Sequence, residues 1–454
     1  MMGSLFFCHN NETDFIDHFK VSGGDAVPII LYTRDITHGR GRRDLAYAMI
    51  VSLYKSNPGT AMEALRLCAS QYGSWCDIKY FCRYVSERVI DIDDFMRDKL
   101  IDGAIDILLY QLNMDYASWT DALSEYLNNL RVVSRPIARE IMSYAAKWVP
   151  REKSAMGWLF DRIVERWAKD HYNSRYKREF RKMISELNRE MGTVEIKQCA
   201  RDIDNIIYEQ IPIRALVNQY RTFTKLEVYP KNSIVNLGGG GRLFEQICQN
   251  LVRIALSRDD GRYDDMLNDI WSKNQTNYNS KDIVPIVDIS VGSGGRFHAI
   301  GLGILIAQNS SHGHLILSEH DSYSIPAGYR DSFTSIIERI RPFLSGVTDS
   351  RLDLAIHRIA CDRKSVGTGS RVVVLSQNGN VSISGPNIVY WFFGNVSTVN
   401  KDESKNIHLG FDSEYTYCDS MYMLSHYANG GTAHDYISMI LMSDRYRPNG
   451  MFIG

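Results

Sequence analysis

The stretch Ile283-Val284-Pro285-Ile286-Val287-Asp288-Ile289-Ser290-Val291-Gly292-Ser293-Gly294 decides how the C-terminal part of this chain is read. A short apolar run, bounded by hydroxyls and glycines, has the length and composition of a buried strand. The same style continues downstream. Strands are expected at Ile283–Ile289, His314–Leu317, Arg371–Leu375 and Asn387–Phe392, with helices at His298–Gln308, Phe333–Phe343 and Arg351–Ala360 between them. Strands alternating with helices imply a mostly parallel sheet covered on both faces. Ligands on such sheets sit at the carboxyl ends of the strands, which directs attention to Asp288 and Ser290.

Upstream the periodicity is different. From about residue 13 to 225 apolar residues recur at helical spacing, as in Leu45, Met49, Ile50 and Leu53, or Ile101, Ile105, Leu108 and Leu109. The breaks are short: Asn57-Pro58-Gly59, Tyr72-Gly73-Ser74, Arg135-Pro136, Val149-Pro150 and Ile211-Pro212. Helices joined by such turns pack as antiparallel neighbours, in an α-solenoid or an irregular bundle. The expected fold is multidomain, α plus α/β: an all-helical module over 1–275 and an α/β domain over 280–454. The glycines Gly238 to Gly241 lack the GxxxxGK[ST] spacing of a nucleotide loop and read as a turn.

With 44% apolar and 23% charged residues in 454, the composition is that of a globular protein. A net charge of −1 leaves no global field to draw the protein onto nucleic acid, so any such site must be a local patch. Eight cysteines without CxxC pairing read as reduced thiols. The N-terminus has no basic region followed by an apolar core, and the longest apolar runs fall short of the roughly 20 residues of a membrane span. A cytoplasmic protein without membrane contact is expected, or a component within the particle if the chain is viral.

Asp288-Ile289-Ser290-Val291-Gly292-Ser293 resembles the DxSxS turn of von Willebrand A domains, and Gly346-Val347-Thr348-Asp349 resembles their threonine loop. Leu31-Tyr32-Thr33-Arg34-Asp35 with Gly39-Arg40-Gly41-Arg42-Arg43-Asp44-Leu45, Gln71-Tyr72-Gly73-Ser74-Trp75-Cys76-Asp77-Ile78, and Asn387-Ile388-Val389-Tyr390-Trp391 resemble blocks of the Ro-like, TROVE-related family, in that family's order. The resemblance implies a HEAT-like helical module that in the Ro branch encircles or lines RNA, fused to a von Willebrand A domain. It also implies a divalent-cation site of hard oxygen ligands at Asp288, Ser290, Ser293 and Thr348. This sequence departs from the pattern. Gly292 stands where a second serine is expected, and Ser376-Gln377 stands where Ser-Asp is expected. With that carboxylate missing, the expectation is weak Mg²⁺ binding or none, and no other cofactor.

Two basic segments are candidates for RNA. The loop with Arg34, Arg40, Arg42 and Arg43 could approach phosphates, or its arginines could pair with Asp35 and Asp44 to fix a helix corner. In His171–Lys182, Arg175, Lys177, Arg178, Arg181 and Lys182 interleave with Tyr172, Tyr176 and Phe180. Such composition stacks bases, but aromatics every four residues also make a core-facing stripe. No HxxxH, HExxH or nucleophile-elbow spacing is present, which argues against an enzyme. Two functions follow as expectations: a non-enzymatic RNA-binding or ribonucleoprotein scaffold, or a structural and assembly protein working through protein partners or self-association.

Overall fold

The computed structural model describes residues 23–89, 92–129, 136–169, 174–202, 206, 241–257, 264–274, 282–289, 293–318, 321–344, 355, 371–376, 388–392, 416–417, 421–431 and 433–447. They are mostly helical, with one mixed sheet. The chain divides into two compact units, one holding the helices between residues 23 and 199, the other the sheet, its helices and Thr37–Arg40.

The helical unit begins with α1 (Gly23–Arg34), α2 (Arg43–Tyr54), α3 (Pro58–Leu67) and α4 (Cys76–Glu87). Asn57 caps α3 by accepting from the Thr60 N–H at 3.2 Å, and Pro58 occupies the first turn, where no N–H is needed. The 35-residue α5 (Asp94–Asn128) follows, then α6 (Gly157–Ala168) and α7 (Ser174–Met191). Each apolar position cited above for helical spacing is buried. Buried Asp115, in the middle of α5, accepts from Gln111 Nε2 and from the backbone N–H and hydroxyl of Ser143, so the segment after residue 136 is docked by a fully bonded carboxylate.

The second unit comprises α8 (Gly241–Leu256), α9 (Asp264–Asn274), β1 (Ile283–Asp288), α10 (Ser293–Asn309), β2 (His314–Ser318), β3 (Ser322–Pro326), α11 (Phe333–Ile340), β4 (Arg371–Ser376), β5 (Ile388–Phe392), β6 (Thr416–Tyr417), α12 (Met421–Ala428) and α13 (Ala433–Met442). The strand order is β3-β2-β1-β4-β5-β6, parallel except for β3 against β2. Ser322–Pro326 has a single buried residue, Ile325, and therefore no apolar run that would mark an edge strand. Helix α10 starts five residues before the expected His298, because Gly294 and Gly295 mask its first turn. Of the helix expected at Arg351–Ala360 only Ala355, helical and buried, is among the described residues, and the Gly238–Gly240 turn lies outside them.

A boundary at 275–280 assigns α8 and α9 to the helical half, and the tertiary contacts correct this. The Trp271 indole N–H donates to Gln308 Oε1 at 2.6 Å, its ring stacks on Phe333 at 4.2 Å, and Arg341 donates to the carbonyls of Ala255 and Leu256. Amphipathic helices look alike in sequence whichever core they cover.

Helix α10 packs closely because it carries Gly301 and Gly303. A Cβ at Gly301 would lie 2.6 Å from Cys248 Cβ on α8, and one at Gly303 would collide with Val287 of β1. Gly301→Ala is expected to cost about 1–3 kcal/mol through overpacking, read from the midpoint of urea denaturation. An unchanged midpoint would mean that α8 shifts freely.

No helix among the described residues is long and apolar enough to cross a membrane.

Candidate functional site

The first basic segment is mostly structural. Arg34 is 5% exposed and its guanidinium grips Asp77 with two bonds, Nε to Oδ1 at 2.9 Å and Nη2 to Oδ2 at 2.8 Å. The Tyr47 hydroxyl donates to Asp77 Oδ1 at 2.6 Å and the Ser74 N–H to Oδ2 at 2.9 Å. Burial works against the Arg34 charge, but the Asp77 carboxylate overrides it and holds the guanidinium above its ordinary value. Burial, and then Asp77, push the Tyr47 phenol well above its ordinary range, so it remains a donor. Arg40 is buried as well, at 1% exposure. Neither arginine is on a surface that a phosphate chain reaches.

The loop around them folds back on itself. Gly41, in the left-handed region at φ 63°, donates to the Asp35 carbonyl, and Arg42 N–H donates to the Thr33 carbonyl. Arg43 lies over the Tyr80 ring at 4.2 Å and near Asp44, whose carboxylate also binds Arg88 at 2.7 Å. The two blocks around Arg34 and Asp77 thus meet, and what they build is a helix corner. Asp44 is a partner there, as one expectation had it, whereas Arg34 uses Asp77.

The second segment is α7. Phe180 is fully buried, Tyr176 packs edge-on against Trp167, and Tyr172 lies outside the described residues. The described aromatics therefore face the core. Of the cations, Arg175 pairs with Glu179, Lys177 with Glu152 and Asp161, and Arg181 with Glu152. Those carboxylates raise the Lys177 ammonium above its ordinary value. Arg178 and Lys182 are exposed, with no ion pair among the described residues, and so is Arg189, which the sequence reading missed. Positions i, i+4 and i+11 fall within about 40° of arc on a helix, and the three span about 16 Å at 1.5 Å per residue. They form one solvated basic stripe. Arg189 lies beyond the dense cluster and becomes visible only when the helix is known to run unbroken to Met191.

A groove of about 880 Å³ along α5 and α6 is lined by five carboxylates, among them Asp98, Asp102 and Asp106, against three cations. Arg162 bonds Asp98 and Asp102, and Arg166 bonds Asp106. This ladder ties the two helices together, and its charge balance does not favour phosphate.

In the α/β unit the strand order turns back between β1 and β4, the crevice where open sheets of this kind take ligands. Asp288 ends β1 there, opposite Ser318 of β2, and Ser376 ends β4 one residue beyond the Val287–Leu375 pair. All three are 0% exposed, and the Ser376 hydroxyl donates to Asp288 Oδ2 at 2.6 Å. Ser290 and Thr348 lie outside the described residues, and Ser293 opens α10. One carboxylate and two hydroxyls are the described oxygen donors at these strand ends, and no group of three His, Cys, Asp or Glu residues that could hold a metal occurs among the described residues. Mg²⁺ takes oxygen ligands and keeps several waters, and of the ligands expected for it Asp288 is the carboxylate among the described residues.

No protein-family model matches the chain, and no curated protein matches it in sequence. The geometry of these residues is therefore what a functional reading draws on.

Proposed function

We propose that this chain is a non-enzymatic RNA-binding protein of the Ro-like kind, with a HEAT-like helical unit that holds the RNA backbone and a von Willebrand A-like unit that offers a protein contact. The observation that carries the reading is the stripe of Arg178, Lys182 and Arg189, three solvated cations on one face of α7 with no ion pair among the described residues. Phosphate contacts of this type position a nucleic acid without reading its bases. The described aromatics of the segment are turned inward, so base stacking adds little there and binding is indifferent to sequence. The sheet order and the crevice at Asp288 support the von Willebrand A part of the reading.

The test is an electrophoretic shift of single-stranded and hairpin RNA by the full chain at about 50 mM salt, where such contacts are strongest. Arg178→Glu, Lys182→Glu and Arg189→Glu together are expected to abolish the shift for every RNA tried, with an unchanged melting temperature. Arg175→Glu, which alters a cation already paired with Glu179, is the control. A wild-type protein that shifts no RNA ends this reading in favour of an assembly protein. That alternative draws on Tyr110 and Met114, 67% and 47% exposed and one turn apart on α5. It predicts a change in particle mass when both become serine.

A further inference from the structure

We infer that the stripe on α7 holds four consecutive phosphates of one RNA strand, one per helical turn, with the Ser185 hydroxyl serving the third of them between Lys182 and Arg189. The inference rests on the RNA reading above and adds to it the form of the ligand and a fourth contact. Ser185 is exposed and lies seven residues after Arg178 on the same unbroken helix. At about 3.6 residues per turn it falls roughly 20° from Arg178, so Arg178, Lys182, Ser185 and Arg189 share one strip about 60° wide. Along the axis the four stand about 6, 4.5 and 6 Å apart, at 1.5 Å per residue. That interval is close to the distance between neighbouring phosphates along one strand.

Three cations alone would leave the third phosphate in such a row facing no partner. Ser185 stands at that place, and serine hydroxyls donate to phosphate oxygens. Elsewhere in the helical unit Ser70 and Thr120 turn their hydroxyls back onto the carbonyl four residues earlier, at 2.9 Å each. Ser185 makes no hydrogen bond to any described residue, so its hydroxyl is open to a ligand. On either side of the strip Arg175 and Arg181 are tied to Glu179 and Glu152, which concentrates the positive charge along the line of the four.

The experiment titrates the full chain with short single-stranded RNA over a range of salt, by filter binding. Wild type is expected to give a log–log slope near 2, from three charged contacts at about 0.7 each. Ser185→Ala is expected to weaken binding about 2- to 10-fold, the worth of one hydrogen bond, and to leave the slope unchanged because the hydroxyl releases no counterion. Ser185→Lys is expected to tighten binding and raise the slope to about 2.8. Alanine and lysine both suit an exposed helix position, so the melting temperature is expected to stay where it is. With oligonucleotides of increasing length, affinity is expected to climb steeply up to four phosphates and only slowly beyond. If wild type binds RNA but Ser185→Ala matches it, or Ser185→Lys leaves the slope near 2, this inference is overturned while the RNA reading stands. A steep climb continuing well past four phosphates overturns it as well, because the strand then runs over surface outside the strip. A wild type that binds no RNA ends both.

Discussion

Asp77→Ala is expected to lower the unfolding free energy by about 3–5 kcal/mol, the cost of stranding a buried charge by removing its partner. Three donors converge on this carboxylate: the Arg34 guanidinium through two bonds, the Tyr47 hydroxyl and the Ser74 N–H. Alanine leaves the Arg34 guanidinium and the Ser74 N–H without this acceptor, and the Tyr47 hydroxyl with the carbonyl of residue 77 at 3.1 Å, in a place where water does not substitute, since Arg34 and Asp77 are both buried. A single domain has about 5–15 kcal/mol in total, so the loss is a large part of the helical unit's margin. The exposed pair of Asp44 and Arg88 is the comparison, with under about 1 kcal/mol expected for Asp44→Ala. Urea denaturation followed by helical circular dichroism separates the two. Equal midpoints for both variants would show that water reaches the corner and that the cluster is not a lock.

RNA affinity should fall roughly 20-fold between 50 and 200 mM salt if Arg178, Lys182 and Arg189 are the contacts, because each phosphate contact on a single strand contributes about 0.7 to the log–log slope. The figure is modest because the stripe is short. Arg34 and Arg40 are buried, and Arg175, Lys177 and Arg181 already have carboxylate partners. Had all nine arginines and lysines expected from sequence been contacts, the same salt step would cost roughly 6,000-fold. A filter-binding series over salt thus counts the contacts directly. A slope near 2 supports the stripe, and one near 6 would require that the ion pairs of α7 open on binding.

The helical half and the strand–helix alternation were legible in the sequence because burial leaves a period, and Leu45, Met49, Ile50 and Leu53 are buried together as their spacing demands. The exposed side chains of α7 were legible as a basic segment, but not as a stripe. Which cations are free depends on Glu152 and Asp161, which reach Lys177 from residues 25 and 16 positions earlier in the chain.

By itself, the sequence determined the apolar periods, the Asn57–Pro58 helix start and the carboxylate at the end of the first strand. Each is set within a few residues along the chain. Tertiary structure alone decided that Arg34 belongs to Asp77, that α8 and α9 pack with the sheet, and that Ser376 donates to Asp288. Those partners are 43, 37 and 88 residues apart, and hydrogen bonds and charge pairs act over a few ångströms of space whatever the separation along the chain.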